Sequence, residues 1–498
     1  MKRGVVTAAV VMGVVLTAID ASIMGVAMPK VGSELGGFAL YSWVFSIYML
    51  TSTTMLPVFG KLADVYGRKI IFVMCTLIFM AGSALCGAAT SMPALVVFRA
   101  VQGMGGGGLY PVAMTIIGDI YAIEQRAKIE AMLSSAWGIT SVIGVLLSGL
   151  IVDHASWRWI FIVNLPLGAF ALGLVWFGLK EVVEPRAARI DSGGPVLLTL
   201  GTGALLMAVG QWGSRGFRLM PGVPVPAVAF LAVSIALIAG FVFVERKAAD
   251  PMVPLGLLQR PIIAIPCLGN FLAGGALLGF ASYVPLFVQS VMRHAATISG
   301  LALTPTSAGW PIGAYFSARL ISKAGFRRLA IVAATIAVVG TTALIEATRY
   351  QSLVGIGASM FVVGLGIGSA STIFFIAAQN AVAWAQRGIA TALIEFSNTL
   401  GASIWVAIMG SAAGAVIGAA DATSSVNRGL MAAGIERVFF IALGLGIAEV
   451  IVMLFFPPST GPNPTFGQEA PSDCFLPIDG AISTQFSPNF HRLGGRPI

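Results

Sequence analysis

An all-helical protein that crosses a membrane many times is what this sequence predicts, and three observations carry that reading. Of 498 residues, 57% are hydrophobic and only 10% are charged, where a soluble globular domain carries about 25% charged residues. The apolar residues fall into fourteen runs of membrane-spanning length. The basic residues gather on alternate connections between those runs. A soluble chain of this size needs far more charge to cover its surface. A mean hydropathy of +0.92 also excludes disorder for most of the chain.

A helix needs about 20 apolar residues to cross a bilayer. Such runs lie near 5–28, 40–60, 70–91, 93–118, 129–152, 157–179, 193–212 and 222–244, then near 261–291, 298–321, 329–346, 351–376, 388–419 and 436–456. Two of them, 261–291 and 388–419, exceed one span, an excess that tilt or an extended end absorbs. A transmembrane β-barrel would show short segments alternating in and out, and these runs do not alternate. The start, Met1-Lys2-Arg3 and an apolar run, resembles a signal peptide. That run is longer than an h-region and contains Asp20, so it reads as an uncleaved first helix.

Fourteen spans put both termini on one side. That side collects 20 Lys and Arg residues and the other collects 8, with Arg99 inside a span completing the 29. By the positive-inside rule the termini are cytoplasmic, and the expected location of this multi-pass protein is the plasma (inner) membrane. The net charge of +9 follows from basic loops beside anionic lipid and implies no nucleic-acid partner. Four cysteines are too few for a disulfide scaffold, and Cys75, Cys86 and Cys267 sit in apolar runs. His154, His294 and His491 are too scattered to form a metal site, and no cofactor is expected. Residues 457–498 hold eight prolines and read as a disordered cytoplasmic tail.

One connection repeats. Gly60-Lys61-Leu62-Ala63-Asp64-Val65-Tyr66-Gly67-Arg68-Lys69 follows the second run. Ala318-Arg319-Leu320-Ile321-Ser322-Lys323-Ala324-Gly325-Phe326-Arg327 follows the tenth. A small residue, a basic residue and Leu, then Gly five residues on and a basic residue, recur in register. Each copy follows the second helix of a six-helix set if the seventh and eighth runs are an insertion. The expected organisation is a six-helix bundle over 1–180, two inserted helices with their linkers over 181–260, and a second six-helix bundle over 261–456. Parallel six-helix repeats of this kind are arranged around a central cavity.

At these residues the chain resembles the major facilitator superfamily, and within it the fourteen-span drug:proton antiporter branch. The first connection is similar to the superfamily signature G-x-L-a-D-x-x-G-R-[KR]. Arg99-Ala100-Val101-Gln102-Gly103 is similar to R-x-x-Q-G. Ile19-Asp20 followed by Ala27-Met28-Pro29 resembles the branch's first-span element. Trp157-Arg158-Trp159-Ile160-Phe161-Ile162-Val163-Asn164-Leu165-Pro166-Leu167-Gly168 resembles W-R-W-I-F-x-x-N-x-P-x-G. The match is close in the N-terminal half and looser in the C-terminal half. The fifth-span antiporter signature expects Gly-Pro and then Gly-Gly, and this chain has Gly144-Val145 and Ser148-Gly149. Ser22 replaces the Thr after Asp20, and the thirteenth run carries Glu395 and Asn398.

The resemblance implies the major facilitator fold: two six-helix bundles plus two extra helices. The implied activity is proton-coupled export of amphiphilic, cationic small molecules by alternating access, without enzymatic chemistry. The partners are then a small-molecule substrate, protons and membrane lipids, and the protein is a monomer. The alternative is a transporter of the same fold for one metabolite, siderophore or lipid. A membrane enzyme would show His, Cys or carboxylates clustered at one depth, and a channel would show a filter; neither pattern is present.

Charged residues within the spans supply the candidate site. An aspartate near the bilayer centre costs about 2.5–3.5 kcal/mol on insertion scales, so Asp20 must face a cavity or a partner. Gly13, Thr17, Asp20, Met24 and Ala27 form a small and polar stripe at helical spacing, which suits a cavity wall. Thr391, Glu395, Asn398 and Ala402 share a face in the same way, while Glu449 and Glu346 are weaker candidates. Arg99 either reaches the interface or pairs with a carboxylate or with helix carbonyls lining the proton path, and the resemblance favours the second. Asp20, Arg99 and Glu395 are thus the expected proton and substrate pathway.

Gly60 and Gly67 permit a tight turn, and Asp64 can accept from a helix N-terminus or pair with Arg68. The resemblance implies that Gly60, Asp64, Gly67, Arg68 and Lys69 form a cytoplasmic gate. Gly138, Gly144, Ser148 and Gly149 permit close packing across the seam between bundles. Gly103, Gly105, Gly106, Gly107 and Gly108 lie inside a span with no Lys-Ser/Thr after them, so they mark helix packing and not a phosphate loop.

Overall fold

The computed structural model describes residues 3–37, 40–121, 123–179, 193–213, 227–248, 255–382, 387–417 and 425–458. The tail from residue 459 onward lies outside the described residues. Sixteen helices form among those described. They are α1 (Arg3–Leu35), α2 (Tyr41–Tyr66), α3 (Arg68–Gly87), α4 (Met92–Ile120), α5 (Ile123–His154), α6 (Trp159–Ile162), α7 (Asn164–Gly178) and α8 (Gly193–Gly213). There follow α9 (Ala227–Lys247), α10 (Leu255–Leu258), α11 (Pro261–Ser290), α12 (Ala296–Ala324), α13 (Phe326–Arg349), α14 (Leu353–Asn380), α15 (Arg387–Ile417) and α16 (Ser425–Leu454).

A helix lies under every predicted apolar run. Ten helical spans among the described residues are long and apolar enough to cross a membrane by length and composition. Helices α4 and α12 are as long; α4 carries Arg99, Gln102 and its glycine run, and α12 carries Thr, Ser and two prolines. Helices α6 and α7 together cover one predicted run. The break between them falls before Pro166, whose missing N–H cannot bond back to Ile162.

The two halves pack alike. In the N-terminal half α1 lies against α5 and α7, α2 against α4, and α3 against α4 and α7. In the C-terminal half α11 lies against α15 and α16, α12 against α14, and α13 against α14 and α16. The halves meet where α1 touches α11, α2 touches α15 and α5 touches α12. Helices α8 and α9 form a hairpin, and α8 rests on both α2 and α15. There Leu206 packs with Trp43, Leu50 and Ala407.

The repeated connection is one residue wide. Gly67 (φ 92, ψ 145) ends α2 and begins α3, and Gly325 (φ 75, ψ 162) does the same between α12 and α13. Both backbones occupy a region essentially restricted to glycine. Gly67 N–H donates to Ala63 O at 3.1 Å, and Gly325 N–H donates to Ile321 O at 3.0 Å. Gly60 was expected at this turn and is instead inside α2, where a Cβ would meet nothing. The helix runs on through Lys61 to Tyr66 because nothing in that stretch breaks it.

The likeness extends into the packing of the following helices. Gly82 abuts the backbone of Gln102, and Gly340 abuts the backbone of Val363. Gly105 faces Phe79 and Gly366 faces Ala337, while Gly107 meets the carbonyl of Ser52 and Gly368 that of Trp310. Each pair holds the same place counted from Gly67 and Ser91 in one half and from Gly325 and Ser352 in the other. Ser91 and Ser352 cap α4 and α14, accepting from Ala94 N–H and Gly355 N–H. The glycine run in α4 therefore serves helix approach, as its place inside a span requires.

Candidate functional site

Asp20 sits midway along α1 and is 4% exposed, which demands a partner. Helix α4 supplies it. Arg99 and Gln102 are three residues apart on one helical face, both buried. Arg99 Nη1 donates to Asp20 Oδ2 at 2.8 Å and to Gln102 Oε1 at 2.8 Å. Gln102 Nε2 donates to Asp20 Oδ1 at 2.8 Å and to Ser83 Oγ at 3.1 Å. Asn164 on α7 closes the ring, donating to Ser83 Oγ at 3.0 Å and to Asp20 Oδ1 at 3.4 Å. The Arg99 guanidinium lies 4.0 Å over the Tyr48 ring, and its Nε donates to Val44 O at 3.4 Å.

Five helices thus converge on one ion pair. The close approach of Gly82 to Gln102 lets α3 and α4 come near enough for Ser83 to join. Removing one partner of such a pair leaves the other charge stranded, at a cost of about 3–5 kcal/mol. The arrangement binds a proton, a carboxylate or a cation only at the expense of the pair. The structure holds the closed pair, with the guanidinium and the carboxylate in direct contact.

The stripe containing Asp20 does not line an open cavity. Thr17, Met24 and Ala27 are all buried, and Gly13 packs on the ring of Phe72. Asp20 is buried because it faces Arg99 within its own half.

Glu395 on α15 is half-buried. The face around it meets α11 and α14. Asn398 Nδ2 donates to Asn270 O at 3.2 Å and to Asn270 Oδ1 at 3.3 Å, and Gln379 Nε2 donates to Thr391 Oγ1 at 3.0 Å. Glu395 is not a member of the Asp20 network.

The gate motif is partly visible. Lys69 Nζ donates to Trp176 O at 2.9 Å, tying α3 to the end of α7, and Arg68 opens α3. The side chains of Lys61 and Asp64 lie outside the described residues, as do the surroundings of Gly138.

On α5 the remaining motif residues divide between two neighbours. Gly144 packs on Ser22 and Ile19 of α1, and Ser148 Oγ donates to Ile23 O at 2.9 Å. Gly149 abuts the backbone of Thr297 on α12, and Gly300 approaches Val145 O. The seam is therefore sealed by α5, at the end of the molecule away from Gly67 and Gly325. At that same end Asp153 caps α12 across the seam. Its carboxylate accepts from Ala296 N–H at 2.8 Å, Thr297 N–H at 2.9 Å and Thr297 Oγ1 at 2.6 Å. Gln289 Nε2 adds bonds to Val26 O and Ser299 Oγ, both at 2.8 Å.

Sequence reasoning paired neither Gln102 nor Asn164 with Asp20, although both stand inside the quoted motifs. The i, i+3 spacing of Arg99 and Gln102 was the available signal. Asp153 gave none, because an acidic residue near a helix end is commonplace.

The family model described as Major Facilitator Superfamily matches residues 10–406. The chain is 33% identical over 400 residues to Multidrug resistance protein 3 of Bacillus subtilis (strain 168), covering 80% of this chain and 77% of that one. It is 32% identical over 411 residues to Multidrug transporter protein MdtP of the same organism, covering 82% and 75%. Among solved structures, a bacterial homolog to the human lysosomal transporter Spinster, inward-facing and unoccupied, superposes with a TM-score of 0.66 at 16% identity. That match covers 91% of this chain and 97% of the other. A D-xylose-proton symporter superposes at 0.63 and 13% identity, covering 92% and 98%. These likenesses agree with the paired halves, and the chain belongs to the major facilitator superfamily.

Proposed function

We propose that this chain is a proton-coupled secondary active exporter of amphiphilic cations, of the fourteen-span drug:proton antiporter branch, working by alternating access. The observation that carries the reading is the buried Asp20–Arg99 pair with its Gln102 and Asn164 donors. The two bacterial relatives named for multidrug resistance and multidrug transport support the substrate class. In this reading 1–180 and 261–456 are the two moving bundles, 181–260 is the inserted pair, and the termini are cytoplasmic. The end sealed by Asp153 then faces outward, so the conformation is inward-facing.

The coupling follows from charge. A proton arriving at Asp20 neutralises the carboxylate and releases Arg99; proton loss restores the pair. Moving one positive charge outward against 100 mV costs about 2.3 kcal/mol, and one proton entering releases the same. One-for-one exchange with a monovalent cation is electrically neutral. The pH gradient alone then drives it, at about 1.4 kcal/mol per pH unit. Glu395 on α15 supplies a second titratable carboxylate, which lets two protons enter and adds the voltage. The gate residues Gly67, Arg68, Lys69 and Asp64 close the cytoplasmic end in the opposite state.

The test is flux in proteoliposomes with the pH gradient and voltage imposed separately. Asp20→Asn abolishes proton-driven flux of every substrate, and unchanged flux overturns the reading. Glu395→Gln removes the voltage dependence only; a retained voltage dependence overturns the second carboxylate's role and leaves the first intact.

A further inference from the structure

Glu449 lies on α16 and is 3% exposed. Its Oε1 is buried without a hydrogen-bond partner among the described residues. The neighbouring turns place it inside the C-terminal half. Gly446 packs on Val338 of α13, and Met453 packs on Gly269 of α11. Leu445 and Met453 beside it are buried.

Charged and titratable groups on the surrounding helices do not answer it. Helices α11 and α14 carry no charged residue; Cys267 and Tyr283 are the titratable groups on α11. On α13 the charges sit at the ends, Arg327 and Arg328 at one and Glu346 and Arg349 at the other. Arg349 is taken by Glu346 and Glu436 at 2.9 Å each. Glu395 and Arg387 are the charges on α15, and Arg428, Glu436 and Arg437 the others on α16.

The internal repeat shows that the fold does not require this carboxylate. Gly168 packs on Met80 in the N-terminal half as Gly446 packs on Val338 in the C-terminal half. Met80 and Val338 stand at the same distance after Gly67 and Gly325. The counterpart of Glu449 is therefore Ala171, which is fully buried. A methyl group suffices for the packing there. A carboxylate with neither cation nor donor pays its desolvation without return unless it carries a proton.

We propose that Glu449 is a proton-binding site of the C-terminal half, loaded in the conformation described here and unloaded to water in the opposite one. On unloading the O–H bond breaks, the proton passes to water and the carboxylate keeps the electron pair. The proposal rests on the proton-coupled reading above and adds a carboxylate that the Asp20 network and Glu395 do not include.

Two measurements test it on the full chain. The first is infrared difference spectroscopy of the purified protein in lipid nanodiscs across a pH titration. Wild type shows the carbonyl band of a protonated carboxylic acid, E449Q loses it, and E449D retains it at a shifted position. The second is proton counting with an entrapped pH dye while a fluorescent monovalent amphiphilic cation is transported. E449Q moves fewer protons per cation than wild type. An E449Q spectrum identical to wild type, or an unchanged proton count, overturns the proposal. D20N keeps the Glu449 band; if D20N also keeps proton-driven flux, the functional reading fails while the infrared result stands by itself.

Discussion

The helices α2–α4 and α12–α14 share a skeleton and differ in chemistry. The single-glycine hinge at Gly67 recurs at Gly325, and the backbone approach of Gly107 to Ser52 recurs as Gly368 to Trp310. Yet the positions of Arg99 and Gln102 are held in α14 by Met360 and Val363, both buried and apolar. Ser83 and Cys86 are answered by Thr341 and Leu344. Backbone packing depends on the absence of side chains, so a repeat preserves it wherever glycine is kept. A buried charge depends on partners from several helices at once, and one half can lose or gain it without disturbing the other's skeleton.

The largest expected effect breaks the chemical half of this contrast. Arg99→Met installs the residue of the other half and strands Asp20, lowering stability by about 3–5 kcal/mol in thermal unfolding of the purified protein. Adding Asp20→Leu recovers part of that loss, because no charge is left stranded, while Gln102 and Asn164 lose an acceptor and keep Ser83. Failure of the second change to recover stability would mean that the two residues do not act as a pair.

The skeleton is tested by paired substitutions. Gly67→Ala and Gly325→Ala each force a side chain into a glycine-only conformation, at about 1–3 kcal/mol apiece. Equal losses in denaturation support equivalent hinges; a loss in one alone breaks the equivalence. Gly107→Ala and Gly368→Ala push helices apart at matched carbonyls, again at about 1–3 kcal/mol. Their effects on unfolding should match within the scatter of independent sites.

The smallest effect concerns the seam, where the halves are not related by the repeat. Asp153→Ala removes the cap on α12 and weakens the sealed end by about 0.5–2 kcal/mol. The readout is a spin-label distance between α5 and α12, which lengthens in a larger share of molecules. An unchanged distance distribution shows that Gly149 and Gly300 hold the seam without the cap.

Much of the fold was legible in the sequence because membrane helices announce themselves by length and hydropathy. The helices under the apolar runs, the repeated connection and the packing role of the α4 glycines were readable from residue type and spacing. Gly60 was misplaced because glycine is tolerated inside a helix as well as at its end, and the sequence does not say which use is made of it. The stripe around Asp20 was read as a cavity wall because periodicity identifies a face without identifying what covers it.

By itself, then, the sequence determined the local and one-dimensional features: which segments are helical, which residues are too costly to leave unpartnered in a bilayer, and where the chain repeats. The tertiary structure alone decided the pairings. It gave Asp20 its partner on α4, brought Gln102, Ser83 and Asn164 to the same carboxylate, and set Asp153 on the end of α12. Those contacts join residues far apart in the chain, and their energies depend on distance and desolvation. No spacing rule within one helix encodes either quantity, so the chemistry of the site appears only once the helices are packed.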